Sequence, residues 1–166
     1  MKPVFLIGFM GAGKTTIGQA LGARLHKPVL DTDQMIERKS GRSISQLFEL
    51  YGEPEFRKLE SALLKEIAKE GYIITTGGGI ILTKENREFM KKNGEVIFLQ
   101  CDFSSLWERL EGDQTRPLIY HRKKEEAEAL YKKRLPLYQE SATITVDTTS
   151  KTVEETVNEI IQCLNG

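Results

Sequence analysis

Gly8-Phe9-Met10-Gly11-Ala12-Gly13-Lys14-Thr15 satisfies every fixed position of the pattern G-x-x-x-x-G-K-[ST]. The residues on either side fit the same reading. Val4-Phe5-Leu6-Ile7 is a short apolar run suited to a buried parallel strand, and residues 16–26 carry Ile17, Leu21 and Leu25 at helical spacing. Strand, glycine loop and helix therefore follow one another. The glycines let the backbone N–H groups of residues 11–16 (Gly11, Ala12, Gly13, Lys14, Thr15, Thr16) curl into an anion nest, and the helix start adds its positive end. A polyphosphate is the natural occupant of such a loop. Lys14 is placed to reach the β- and γ-phosphates, and the Thr15 hydroxyl to ligate Mg²⁺.

The chain of 166 residues, 39% of them hydrophobic, reads as one domain over 1–166 with room for a real core. Lys+Arg and Asp+Glu are 24 each, so no bulk charge points to nucleic acid or an anionic membrane. Cys101 and Cys163 form neither a C-x-x-C pair nor a zinc set, which suggests buried thiols in a reducing compartment. No apolar stretch is long enough for a signal segment or a membrane span. A cytoplasmic protein is the expectation.

Residues 29–33 read as a second strand turning acidic at its end, with a helix starting at Gln34. Asp31 and Asp33, two apart on a strand, would share one face at the carboxyl edge of the sheet, where ligands of open α/β folds sit. Asp33 also suits a helix N-cap. Residues 43–51 and 53–70 read as two helices parted by Gly52, with Pro54 in the first turn of the second. Phe56, Leu59, Leu63, Leu64 and Ile67 form the second helix's apolar face, and Arg57 lies at its edge. Residues 72–76 form the next strand, followed by Gly77-Gly78-Gly79. These glycines admit either a ligand's close approach or a loose turn. No Asp ends this strand, which leaves Asp31 as the magnesium partner.

Residues 83–92 read as a helix, 95–101 as a strand and 103–110 as a short helix bearing Arg109, which either lies against an adenine face or is solvated. Residues 112–124, containing Thr115-Arg116-Pro117-Leu118, have the composition of a mobile lid. A helix over 125–139 should end or kink at Pro136. A last strand over 142–146 and a helix over 152–164, with Val153, Val157, Ile160, Ile161 and Leu164 inward, complete the chain. The alternation of helices and strands implies a parallel sheet covered on both faces.

Taken together, G-F-M-G-A-G-K-T-T, D-T-D at 31–33, G-E-x-x-F-R at 52–57, G-G-G at 77–79, T-R-P-L at 115–118 and R-x-P-L-Y at 134–138 resemble the shikimate kinase family along almost the whole chain. The resemblance implies a nucleoside-monophosphate-kinase-like fold with a five-stranded parallel sheet in the order 2-3-1-4-5. It also implies transfer of the ATP γ-phosphate to the 3-hydroxyl of shikimate by a Mg²⁺-dependent monomer. Arg57, Gly78 and Arg134 would hold the shikimate carboxylate, and Asp33 would orient the attacking hydroxyl. Asp31 and Thr15 would hold Mg²⁺, and Lys14 with Arg116 would neutralise the moving phosphoryl group. Arg109 would lie against the adenine face, and Lys151 would contribute a backbone or stem contact on the adenine side. The loop 148–152 lacks the proline that many relatives carry there. A gluconate or nucleoside monophosphate kinase would share the loop without this acceptor set. A guanine-nucleotide switch would need D-x-x-G and [NT]-K-x-D, which are absent from the sequence.

Overall fold

The computed structural model describes residues 1–111 and 124–166. Five strands, β1 (Val4–Ile7), β2 (Val29–Asp31), β3 (Ile73–Thr75), β4 (Glu95–Gln100) and β5 (Ile144–Asp147), form one parallel sheet in the order β2-β3-β1-β4-β5. The continuous apolar run of β1 belongs at the centre. Its residues are fully buried between β3 and β4 because both sheet faces carry helices. The order reverses at β1, so the crevice at its carboxyl end is the natural ligand site of this topology.

The helices are α1 (Lys14–Leu25), α2 (Thr32–Ser40), α3 (Ile44–Ile67), α4 (Lys84–Asn93), α5 (Phe103–Glu111), α6 (Lys124–Ser141) and α7 (Val153–Asn165). A 3₁₀ turn at Ile80–Leu82 follows the three glycines. Gly52, at φ 80° and ψ 166°, breaks α3 into the two helices that the sequence suggests. Ser43 and Thr152 close capping boxes at the starts of α3 and α7, each satisfying otherwise unpaired N–H groups. No helix among the described residues is long and apolar enough to cross a membrane.

Several local expectations are corrected. β2 stops at Asp31, whose carboxylate accepts from Gln34 N at 3.0 Å and caps α2. Asp33 therefore lies in the first turn of the helix and is not its cap. Leu59 and Val153 are exposed, whereas Glu60, one position after Leu59, is completely buried on the core side of α3. α6 continues past Pro136 to Ser141. Cys101 is buried but Cys163 is exposed.

Candidate active site

The phosphate loop leaves β1 at Gly8 and enters α1 through Gly11 and Gly13, both left-handed at φ 83° and 88°. Lys14 folds back over the loop, its ammonium donating to Gly8 O at 2.6 Å and Phe9 O at 3.0 Å. Arg109 reaches the same loop from α5 and donates to Gly11 O at 2.8 Å. Thr15 and Thr16 are exposed on the first turn of α1, and Ala12 is buried beneath the loop.

Beside the loop opens a cleft of about 840 Å³, lined by the carboxyl end of β2, the start of α2, both halves of α3, the three glycines and Arg134 of α6. Asp31, Asp33 and Thr15 share this cleft. Asp31 is held twice, by its cap to Gln34 and by Thr75 Oγ1, which donates to its second oxygen at 2.8 Å. Thr75 is its registered neighbour on β3.

Each of the three glycines is matched to one charged side chain. A Cβ on Gly77 would stand 2.7 Å from Asp33 Oδ1, and one on Gly79 would stand 2.3 Å from Arg57 Nη2. One on Gly78 would lie 3.5 Å from Arg134 Nη1. The run is a cradle that lets two of these side chains approach the backbone more closely than any side-chain-bearing residue allows.

Arg57 is held by carboxylates and rings. Its Nη1 donates to Glu60 at 3.0 Å and its Nη2 to Glu53 at 3.3 Å, while Phe56 and Phe48 face the guanidinium at 5.2 and 5.9 Å. Burial pushes the Glu60 carboxyl up to about 7 against the pull of Arg57 and Arg134. Burial, then the neighbouring Asp31 charge, pushes Asp33 up to about 6, while Lys14 and Arg57 oppose the rise. Of the four buried side-chain polar atoms without a hydrogen-bond partner among the described residues, two, Glu60 Oε2 and Arg134 Nε, belong to residues that line the cleft. An acceptor rich in hydroxyls and carrying a carboxylate matches such a lining.

The structure thus brings Lys14, Thr15, Asp31, Asp33, Arg57, Gly78 and Arg134 around one cleft and loop, with Arg109 at the loop's far side. Lys151 is engaged elsewhere, with its ammonium 2.6 Å from Glu159. Arg116 lies outside the described residues. Sequence reasoning missed Glu60 and the ring pair around Arg57. A signal for Glu60 existed: it lies four residues after Phe56 and three before Leu63, so helical spacing alone puts it on the apolar face.

A phosphate loop facing an acceptor cleft across the switch point of a 2-3-1-4-5 sheet defines a small-molecule phosphotransferase of the phosphate-loop kinase class. A family model described as shikimate kinase matches residues 10–165. Curated shikimate kinases are similar over their whole length, that of Bacillus cytotoxicus being 46% identical over 166 residues with 100% of both chains covered. That of Enterococcus faecalis is 45% identical over 166 residues, with 99% of each covered. Among solved structures, a shikimate kinase from Acinetobacter baumannii in complex with shikimate superposes with a TM-score of 0.93 at 37% identity, over 99% of this chain and 93% of that one. The enzyme from Aquifex aeolicus gives 0.87 at 39% identity, over 99% and 96%. The chain belongs to the shikimate kinase family. It is an ATP-dependent kinase acting on shikimate, a transferase of aromatic amino acid biosynthesis.

Proposed function

We propose that the cleft holds shikimate with its carboxylate between Arg57, Arg134 and the Gly78 N–H, and with its 3-hydroxyl at Asp33, facing the γ-phosphate of ATP in the phosphate loop. The carrying observation is the pairing of a glycine cradle with two guanidinium groups and a carboxylate inside one cleft. Charge-assisted, two-point binding of a carboxylate is what arginines in such a pair supply.

In the reaction the 3-hydroxyl oxygen forms a bond to the γ-phosphorus as the bond to the β–γ bridging oxygen breaks, giving shikimate 3-phosphate and ADP. The hydroxyl proton passes toward Asp33, which is ionised above its pKa of about 6 and then only accepts hydrogen bonds. In a loose phosphoryl-transfer transition state, holding the hydroxyl in line matters more than basicity. Lys14 exchanges its loop carbonyls for phosphate oxygens and offsets the charge gathering there. From the sequence alone, Arg116 is assigned the same role.

Thr15 and Asp31 are the residues that would hold Mg²⁺. The carboxylate of Asp31 is fixed by two donors but retains free lone pairs, which suits a ligand acting through water. When bound, the ion supplies charge neutralisation to the β- and γ-phosphate oxygens. The same reading makes the chain a cytoplasmic monomer with no nucleic-acid or membrane partner, supported by its balance of 24 basic and 24 acidic residues.

The test is the rate of ADP release from MgATP with shikimate, gluconate or a nucleoside monophosphate as acceptor. Strong stimulation by shikimate alone is expected. Stimulation by another acceptor would keep the phosphate loop and overturn the acceptor site.

A further inference from the structure

The turn Gly77–Leu82 carries the cradle, and glycine is the residue least able to hold a turn by itself. Its backbone groups are nevertheless almost all engaged. Gly77 N–H donates to the Thr32 hydroxyl at 3.0 Å, and Gly77 O accepts from Ile80 N. Gly79 O accepts from Leu82 N. Gly78 O accepts from the hydroxyl of Tyr138 at 2.5 Å. The N–H groups of Gly78 and Gly79 have no partner among the described residues, and both residues line the cleft. Gly79 is buried and Gly78 half-buried, and amides so withdrawn from water are rarely left without an acceptor, so they mark where a ligand's acceptor atoms belong.

Tyr138 is poorly explained as packing alone. Its ring stacks on Phe98 of β4 with centroids 5.1 Å apart, which a phenylalanine would do equally well. The hydroxyl is what distinguishes it: it donates to the Gly78 carbonyl and meets the Arg134 guanidinium. Burial holds the phenol well above its ordinary value, so the oxygen keeps its proton and remains a donor. Tyr138 also lies one turn beyond Arg134 on α6, which places it on the same face of the helix. That face thus delivers a guanidinium and a hydroxyl to the same glycine.

We propose that Tyr138 is a positioning residue for acceptor binding: by fixing the Gly78 carbonyl it sets the plane of the Gly78–Gly79 peptide, and through it the adjoining peptide that carries the Gly78 N–H, so that the two amides face the acceptor's carboxylate alongside Arg134. Thr32 holds the preceding peptide from the opposite side. The inference rests on the carboxylate reading of the cleft given above.

Tyr138→Phe keeps the stacked ring and removes the hydroxyl, both its bond to Gly78 O and its contact with Arg134. The shikimate KM should rise about five- to tenfold, with the ATP KM and kcat near wild type. A merely structural hydroxyl would lower the melting temperature without this split. A second readout uses an acceptor in which a hydroxymethyl group replaces the carboxylate: the substitution should then cost less than about twofold in kcat/KM. Equal losses on both acceptors, or an unchanged shikimate KM, would overturn the proposal. If Tyr138→Phe is too unstable to assay, Thr32→Val removes the hydroxyl on the other side of the turn. It should raise the shikimate KM selectively, and no rise would overturn the clamp. Arg57→Ala separates the two layers. If it weakens shikimate binding while Tyr138→Phe does not, the carboxylate site stands and the positioning role fails. If neither does, the carboxylate reading itself is wrong.

Discussion

The two halves of the proposed active site are built on opposite principles. The phosphate side is a contiguous stretch, Gly8 to Thr15, that works mainly through its backbone, and even its lysine is held by carbonyls of the same loop. The acceptor side is gathered from β2, α2, α3, the glycine turn and α6, and works through side chains taken partly out of water. Its two central carboxyl groups, Asp33 and Glu60, are both pushed upward by burial. A backbone nest needs only local geometry, whereas a pocket for a polyhydroxylated acid needs charges held in a fixed mutual arrangement, which only the assembled fold supplies.

The largest effect expected from disturbing this division is at Lys14. Lys14→Ala should lower kcat by at least about 10²-fold with the fold intact, as loss of a transition-state charge donor does. Single-turnover assays with circular dichroism check it, and an unchanged kcat would break the phosphate-side assignment. Next is Asp33→Asn, which should cost about 10²–10⁴ in kcat while leaving ATP binding unchanged. Full activity would reduce Asp33 to a residue of the first helical turn.

The pH profile sharpens the same contrast. A carboxyl raised to about 6 is protonated below that pH and cannot take up the proton of the acceptor hydroxyl. Hence kcat/KM for shikimate should climb with pH through an acid limb near 6, while the dissociation constant of ATP shows no inflection there. An acid limb near the ordinary carboxylate value would remove Asp33 from the step.

The smallest effect is on stability. Glu60 is neutral in both the folded and unfolded states well below its ordinary pKa of 4.5, so it makes no pH-dependent difference there. As pH rises from 4.5 to about 7 the unfolded chain gives up this proton more readily, so the folded state loses stability across that window and no further above it. Glu60→Gln, which does not titrate, should show a shallower fall in melting temperature between these pH values, with Asp33 still contributing to the fall below about 6. Parallel curves for the two proteins would mean that Glu60 is not held as the geometry indicates.

The same contrast explains what could be read from the chain before it was folded. The phosphate loop was legible in full because its chemistry is consecutive and its context, Val4–Ile7 before and α1 after, is local. The strand order was legible only through the family resemblance, since periodicity locates strands but not their neighbours. Asp33, Arg57, Gly78 and Arg134 likewise look ordinary in isolation and gain meaning only as a set. What stayed hidden depended on tertiary contact. The cap of α2 is Asp31 because Thr75 on the adjacent strand orients that carboxylate. Glu60 is the exception, since helical spacing puts it on the apolar face beside Arg57 of the same helix and leaves Leu59 facing solvent. Pro136 sits inside a helix that propensity alone would have ended. Lys151 pairs with Glu159 nearly two turns into α7, a contact that the loop sequence did not suggest.

The division of labour is tested most directly by titrating Arg134→Ala separately with shikimate and with MgATP in a calorimeter. Arg134 reaches the cleft from α6, and among the described residues Glu60 takes its hydrogen bond from Arg57 and not from Arg134, so Arg134→Ala leaves that bond in place. Shikimate affinity should fall about ten- to a hundredfold, the worth of a charge-assisted hydrogen-bond pair, while ATP affinity stays within about twofold. Equal weakening of both ligands, or undiminished shikimate binding, would contradict the account.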